Sequence, residues 1–144
     1  MDYLSSFEIS ASGMTVEKLR MDLISLNLAN TMTTRTAEGG AYKPVTLITK
    51  PAEGAFNAQF QKAMSLQYPK GVEVSEIVPL DVPEKLAFDP NHPDADTAGF
   101  VHYPGVDTTT EMINLIKATR SYEANVRAFN ATKAMALKAL EIGK

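Results

Sequence analysis

The sequence predicts an α+β fold in which two long terminal helices, packed as a coiled-coil-like pair, flank a small β-rich middle module. All eight prolines lie between Pro44 and Pro104, and because proline ends or kinks helices, long helices are permitted only at the two ends. Apolar residues recur at helical spacing in both proline-free ends. The middle alternates short runs of strand-forming residues with turn formers. We therefore expect three segments, residues 1–36, 37–105 and 106–144.

The N-terminal segment has apolar side chains on two opposite sides of one predicted helix, which runs from about Leu4 to Ala29. One set is Leu4, Phe7, Ala11, Met14, Met21 and Leu28, and the other is Ile9, Val16, Leu19, Leu23 and Leu26. At about 100° per residue the two sets are separated by polar strips. Because a surface helix ordinarily has one apolar stripe, a helix with two must be covered on both sides.

The C-terminal segment predicts a longer helix that begins at a capping box. Thr108 and Glu111 have the spacing of that motif, Asp107 supports it, and Gly143 can end the helix. One face carries Met112, Leu115, Tyr122, Val126, Phe129, Ala136 and Leu140. The remaining surface holds Ile113, Ile116, Leu137 and several alanines. These alanines reflect either helix propensity or the close approach of a further helix.

The middle segment predicts four short strands, in YKPVTLIT, GVEVSEIV, KLAF and GFVHYP. A short helix is expected in AFNAQFQKAMSL, residues 55–66, where aromatic and methionine side chains recur every fourth residue. Between the first helix and the first strand lies a joint formed by Thr33, Thr34, Arg35, Gly39 and Gly40. We expect at least one glycine of this pair to adopt a positive φ, which glycine tolerates without strain.

Composition excludes several classes of protein. The chain has 144 residues, a net charge of −3 and no basic block, which argues against a nucleic-acid surface. No window approaches the roughly 18 consecutive apolar residues that span a bilayer. The first ten residues, MDYLSSFEIS, have no secretory-signal pattern, so the composition alone favours the cytoplasm. The absence of cysteine excludes thiol catalysis, disulfides and cysteine zinc sites.

One segment, residues 88–107, gathers side chains that could do chemistry. It contains His92, His102, Asp89, Asp94 and Asp96, which are potential metal ligands or acid–base groups, so a small hydrolase is one alternative. The acids alternate with turn formers, however, and this pattern favours a hydrogen-bonded turn that leads into the last helix. No phosphate-binding loop or nucleophile elbow is present in the sequence. We therefore expect no catalytic, cofactor-binding or metal site, and no small-molecule substrate.

Two motifs carry a family resemblance. The first helix ends in NLAN, residues 27–30, followed by the threonine-rich TMTTRT, and the last helix contains YEAN, residues 122–125. With these motifs the sequence resembles the bacterial flagellar rod and hook axial proteins over nearly its whole length. The segments TTRTAEGGAYKP and FDPNHPDADTAGFVHYPGVD, the small middle and the ending ALEIGK are similar to the proximal-rod members.

The resemblance implies a structural subunit, not an enzyme, that stacks helically into the periplasmic proximal rod and transmits torque from the membrane ring to the hook. It implies contacts with other copies, homologous rod proteins, the membrane ring and the ring–rod adaptor. It also implies export by the flagellar type III apparatus without a cleaved signal. The expected assembly interface is Leu4, Phe7, Met14, Val16, Leu19, Met21, Leu23, Leu26, Leu28, Asn30, Leu115, Tyr122, Val126, Phe129 and Leu140. The alternative is a soluble coiled-coil adaptor that forms a small closed oligomer.

Overall fold

The computed structural model describes residues 3–52 and 71–142, and it has the predicted α+β architecture. The elements in chain order are helix α1 (Tyr3–Ala29), strands β1 (Val45–Pro51), β2 (Val72–Pro79), β3 (Lys85–Phe88) and β4 (Phe100–Tyr103), and helix α2 (Thr108–Ile142). All four predicted strands and both terminal helices are therefore confirmed. The short helix expected in residues 55–66 and the stop expected at Gly143 lie outside the described residues.

The strands form two separate two-stranded sheets, β1 with β2 and β3 with β4. The β3–β4 pair is antiparallel, with Ala87 opposite Val101 and Phe88 opposite Phe100. Because side chains alternate between the two faces of a strand, one face of this hairpin carries Val101, which is fully buried. The other face carries Leu86, Phe88 and Phe100, which are exposed.

The chain divides into two compact units, and both helices contribute residues to both units. The first unit lies within Met1–Leu19, Ile48–Glu76 and Ala118–Lys144, and the second is Arg20–Leu47 with Ile77–Lys117.

In the first unit, α1 and α2 run antiparallel in direct contact. The rings of Phe7 and Phe129 meet edge to face, with centroids 4.8 Å apart. Further along, a Cβ built on Gly13 would lie 2.8 Å from Nδ2 of Asn125, so the Asn125 side chain packs directly over this glycine and would have to move for a larger residue. As the residue number rises on α1 it falls on α2, which defines the antiparallel order. Ser12 adds a bond to the sheet, since its Oγ accepts from the N–H of Val72 at 3.1 Å.

In the second unit, the core lies between the end of α1, the start of β1 and the β4–α2 connection. Its buried apolar side chains include Ile24, Ala41, Leu47, Val101 and Val106. These residues come from distant parts of the sequence, namely α1, β1, the β3–β4 hairpin and the segment that precedes α2.

The start of α2 differs from the predicted capping box by one residue. Asp107, not Thr108, is the N-cap, because its Oδ2 accepts hydrogen bonds from the N–H (3.1 Å) and the Oγ1 of Thr110. These bonds, the side-chain one first, hold the pKa of Asp107 below its usual value. Glu111 does not reach back to the cap and lies instead beside Asn27 on α1, where its Oε2 accepts from Nδ2 at 3.4 Å.

Candidate assembly interface

The last turn of α1 holds the start of β1 through one buried amide side chain. Asn27 is only 2% exposed. Its Oδ1 accepts from the N–H of Val45 at 2.9 Å, and its Nδ2 donates to the carbonyl oxygen of the same residue at 2.9 Å. An amide can make both bonds because it carries a donor and an acceptor side by side. The side chain therefore takes the place of a neighbouring strand for Val45.

Two further groups complete this arrangement, which we call the Asn27 clasp (Asn27, Tyr42, Val45 and Glu111). The hydroxyl of Tyr42 donates to Oδ1 of Asn27 at 2.9 Å, and Glu111 of α2 accepts from Nδ2. Burial, and secondarily the negative charge of Glu111, raises the pKa of Tyr42 above its usual value, so its hydroxyl stays a donor. The clasp thus ties α1, α2 and the start of β1 together within the second unit.

The predicted joint is a tight reversal between α1 and β1. Thr36 donates its N–H to the carbonyl of Gly40 at 2.9 Å, and Gly39 donates to the carbonyl of Thr36 at 3.1 Å. Gly39 and Gly40 have φ values of 90° and 79°, so the positive φ expected at one glycine or the other is confirmed and in fact occurs at both. A Cβ added to either would meet no atom within 4 Å, so backbone conformation, not space, demands glycine.

The joint is anchored on the turn-rich segment between β3 and β4. Thr34 donates its Oγ1 hydrogen to Oδ2 of Asp94 at 2.7 Å. Arg35 lies 3.8 Å from the other oxygen of this carboxylate, but its side chain is highly exposed, so the ion pair contributes little. The hydrogen bond from the Thr34 hydroxyl to the Asp94 carboxylate, and not the exposed ion pair with Arg35, is therefore the main contact of the joint with this segment.

The turn-rich segment is held by its own carboxylates and imidazoles, which confirms the predicted hydrogen-bonded turn. Oδ1 of Asp96 accepts from the N–H groups of Phe100 (2.9 Å) and Ala98 (2.8 Å). The bond from Phe100 is the main reason that the pKa of Asp96 lies below its usual value. Nδ1 of His92 accepts from the N–H of Asp94 at 3.1 Å. Among residues 3–52 and 71–142, no group of three or more His, Asp or Glu side chains is placed to hold a metal ion.

His102 belongs to a different contact, on the exposed face of the β3–β4 hairpin. Its Nδ1 lies 2.6 Å from Oε2 of Glu84, and its Nε2 lies 3.8 Å from Oδ2 of Asp96. His102 and Glu84 border an open concavity of about 530 Å³ that is also lined by Arg35, the glycine pair and Asp94. The ionisable side chains at its rim lie in pairs, Glu84 with His102 and Arg35 with Asp94.

The predicted interface residues differ widely in how far the single chain covers them. Phe7 and Phe129 pack against each other, and Val16 is buried in the first unit. Leu4 and Leu140 are 74% and 70% exposed. Leu26 is exposed, whereas Met14, Leu19, Met21, Leu23, Leu28, Asn30, Leu115, Tyr122 and Val126 are half-buried. Apolar surface thus remains on both helices, and its burial in an assembly stays a prediction.

The residue that sequence reasoning missed is Asn27. It falls within one of the polar strips of α1, whereas Asn30, three residues later, was the asparagine selected for the interface. Asn30 in fact serves the end of its own helix, because its Nδ2 donates to the carbonyl of Leu26 at 2.9 Å and its Oδ1 accepts from Thr33. One signal in the sequence does point to Asn27, because asparagine has a low helix propensity. An asparagine inside a long helix therefore indicates a side-chain hydrogen bond that compensates for this cost.

Comparison with known protein families indicates the class to which this protein belongs. Residues 97–142 match the family model described as "Flagellar basal body rod FlgEFG protein C-terminal". The match covers helix α2 and the strand before it, and it indicates the class of flagellar basal-body rod proteins.

Full-length relatives narrow the class to one family. The flagellar basal-body rod protein FlgC of Bacillus subtilis is 43% identical over 150 aligned residues, covering 100% of both chains. The FlgC proteins of Borreliella burgdorferi and Escherichia coli are 36% and 34% identical, each covering at least 98% of both chains. The chain belongs to the FlgC family of flagellar basal-body rod proteins, and it is a structural subunit of the rod.

Membership of this family bears on the alternatives that the sequence left open. The FlgC family is a structural one and not an enzyme class, and the comparisons give no support to a soluble adaptor of closed oligomeric form. In the part of the chain that the structure describes, neither long helix is apolar enough to serve as a membrane span.

Proposed function

We propose that this chain forms part of the proximal rod, stacking in an open helical array with copies of itself and with homologous rod proteins. The array carries torque through the periplasm from the membrane ring to the hook. The subunits leave the cytoplasm through the flagellar type III export apparatus, and those at the base contact the membrane ring and the ring–rod adaptor. Membership of the FlgC family supports this proposal.

The observation that carries the proposal is the apolar surface that one chain leaves uncovered. Large apolar side chains remain exposed along α2, namely Met112, Ile113, Ile116, Met135, Leu137 and Leu140. Burying each one fully contributes about 1.5–3 kcal/mol as an upper bound. An exposed ion pair contributes only about 0–1 kcal/mol. Apolar contact between neighbouring subunits is therefore the main source of stiffness in the array.

The second requirement of a drive shaft is a fixed link between the helices and the β module. The Asn27 clasp supplies it, because one buried side chain bonds β1, Tyr42 and α2 at the same time. Side-chain networks of this kind rigidify a structure when every member is satisfied. In the described residues, no buried side-chain nitrogen or oxygen lacks a partner. We infer that torque reaches the β module through this clasp more than through the exposed Arg35.

A deletion strain tests the proposal. Cells that lack this chain are expected to be non-motile and to yield membrane rings without a complete rod, and expression of the native chain should restore both. In purified basal bodies the restored chain should be present in a fixed ratio to the other rod proteins. Complete rods in cells that lack the chain would contradict the proposal.

A further inference from the structure

The outer face of the β3–β4 hairpin is an apolar surface organised in advance for a partner. It consists of Leu86, Phe88 and Phe100, and Leu86 and Phe88 are 61% and 67% exposed. The rings of Phe88 and Phe100 already meet edge to face, with centroids 5.3 Å apart. Aromatic side chains that are fixed before binding lose little conformational freedom on binding, which is typical of interface anchors. We call this surface the hairpin face.

The hairpin face lies in the most acidic part of the chain. Between residues 81 and 100 the permanently charged side chains are Asp81, Glu84, Asp89, Asp94 and Asp96 against Lys85 alone. The side chains of Glu84 and Asp96 border the face beside His102, and each is 41% exposed. Lys85 does not offset them there, because its Nζ donates to the carbonyl oxygen of Val106 at 2.8 Å. A partner for this face should therefore combine apolar surface with positive charge.

A surface with those two properties is present on α2 of the same chain, within the first unit. Arg120, Ala124, Arg127 and Ala131 are all exposed, and at 100° per residue they fall within about 60° of one another. From Arg120 to Lys138 this helix has four basic residues and one acid, Glu123. Arg127 lies 3.5 Å from Glu123, a surface pair that leaves the guanidinium side chain 82% exposed. We call this surface the basic face of α2.

We propose that the hairpin face of one copy docks on the basic face of α2 of a second copy, an inference that rests on the proposed function. Phe88 and Phe100 lie over the alanines, which let the strands approach the helix closely. The planar guanidinium groups of Arg120 and Arg127 stack on the aromatic rings and pair with Glu84 and Asp96. Because the two surfaces are different, each copy can dock its hairpin face on one neighbour and accept the hairpin face of another neighbour on its own basic face. Such a heterologous contact repeats from copy to copy, and it builds an open helical stack when its rotation does not close into a ring.

Engineered cysteines test this contact directly, because the natural chain has none. Leu86→Cys is combined in turn with Arg120→Cys, Ala124→Cys, Arg127→Cys or Ala131→Cys, so that about three turns of the helix along the basic face are scanned. Basal bodies isolated from each strain are exposed to a mild oxidant. A disulfide requires Cα atoms within about 7 Å, so cross-linking reports direct contact. We expect a ladder of dimers and higher multimers of this chain for at least one pair.

The matched control is Leu86→Cys with Lys133→Cys. Lys133 is exposed on the same helix but lies about 150° away from the centre of the basic face. This pair should stay monomeric under the same oxidant. Equal cross-linking of the control pair, no cross-link at any of the four scanned positions, or an adduct with a protein of different mass would overturn the proposed contact between copies.

A charge exchange supplies a second readout. Glu84→Arg and Arg127→Glu should each lower the amount of this chain in basal bodies, and the two together should restore it. Glu38→Arg, at an exposed acid of the joint, should leave the amount unchanged. Absence of the unsubstituted chain from basal bodies would reject the proposed function and this inference together. A chain that is present in normal amounts, with neither cross-links nor charge rescue, would reject the inference alone.

Discussion

Asn27→Ala is the substitution that tests most directly whether the hydrogen bonds of the Asn27 clasp are needed for assembly. It removes the partner of three groups at once, the N–H and carbonyl of Val45 and the hydroxyl of Tyr42. The site is almost closed to water, since the side chain is 2% exposed. The lost partners are therefore not simply replaced by solvent.

The free-energy cost of Asn27→Ala follows from the number of buried polar groups that lose their hydrogen-bond partner. Each unsatisfied buried group costs about 1–3 kcal/mol, so even at the low end the two groups of Val45 and the Tyr42 hydroxyl together cost roughly 3 kcal/mol. At about 1.4 kcal/mol per factor of ten, this shifts the equilibrium between the folded and the unfolded second unit by more than a hundredfold, and fewer subunits are then competent to assemble. Asn30→Ala is the matched control. It removes bonds at a half-buried helix end, where about 0.5–1 kcal/mol is at stake.

The assay is the amount of each variant in isolated basal bodies, measured beside its total amount in the cell. We expect Asn27→Ala to be nearly absent from basal bodies and Asn30→Ala to be close to the parental chain. Asn27→Asp should also fail, since it places a carboxylate beside that of Glu111, and Glu111→Gln in the same chain should partly restore it. Equal incorporation of Asn27→Ala and Asn30→Ala would refute the reasoning.

Two further predictions concern the faces of α1 and the joint. Leu23→Asp and Met21→Asp, made separately, should each abolish rod assembly and swimming, because an unpaired carboxylate is too costly to bury on either side of the helix. Normal swimming of either variant would show that its side of α1 faces solvent. Gly39→Val with Gly40→Val should impair swimming in soft agar, since a positive φ costs a side chain roughly 1–2 kcal/mol per residue. Arg35→Ala should have a much smaller effect, and equal mild effects from both changes would count against a required turn.

Much of the fold could be predicted because its signals are local. Proline placement, helical periodicity and short β-branched runs located both helices and all four strands. The glycine pair of the joint was predictable for the same reason, since a sharp reversal requires a positive φ. The cap of α2 was misplaced by one residue because Asp107 and Thr108 are both good N-caps, and only the bonds to Thr110 distinguish them.

The rest depends on contacts between residues far apart in the sequence. Asn27 forms hydrogen bonds with Val45, 18 residues later, and with Glu111, 84 residues later. The periodicity of the sequence contains no information about contacts over such separations. The hairpin face could not be predicted without the register of β3 with β4, because a shift by one residue would move Phe88 to the opposite face of the hairpin. The exposure of the apolar faces of α1 and α2 likewise could not be predicted, because it depends on how the helices pack in three dimensions.

The central claim is that the terminal helices become fully ordered only when neighbouring subunits cover their second apolar faces. Amide hydrogen exchange on the purified monomer, compared with the chain in isolated basal bodies, tests it most directly. In the monomer we expect fast exchange over residues 1–36 and much of 108–144, because most helical stability comes from tertiary packing and the single chain leaves much of the apolar surface of both helices uncovered. Protection should be confined to the strands between residues 43 and 104. In basal bodies both helices should exchange slowly. A monomer whose α1 and α2 are already protected throughout would contradict the account.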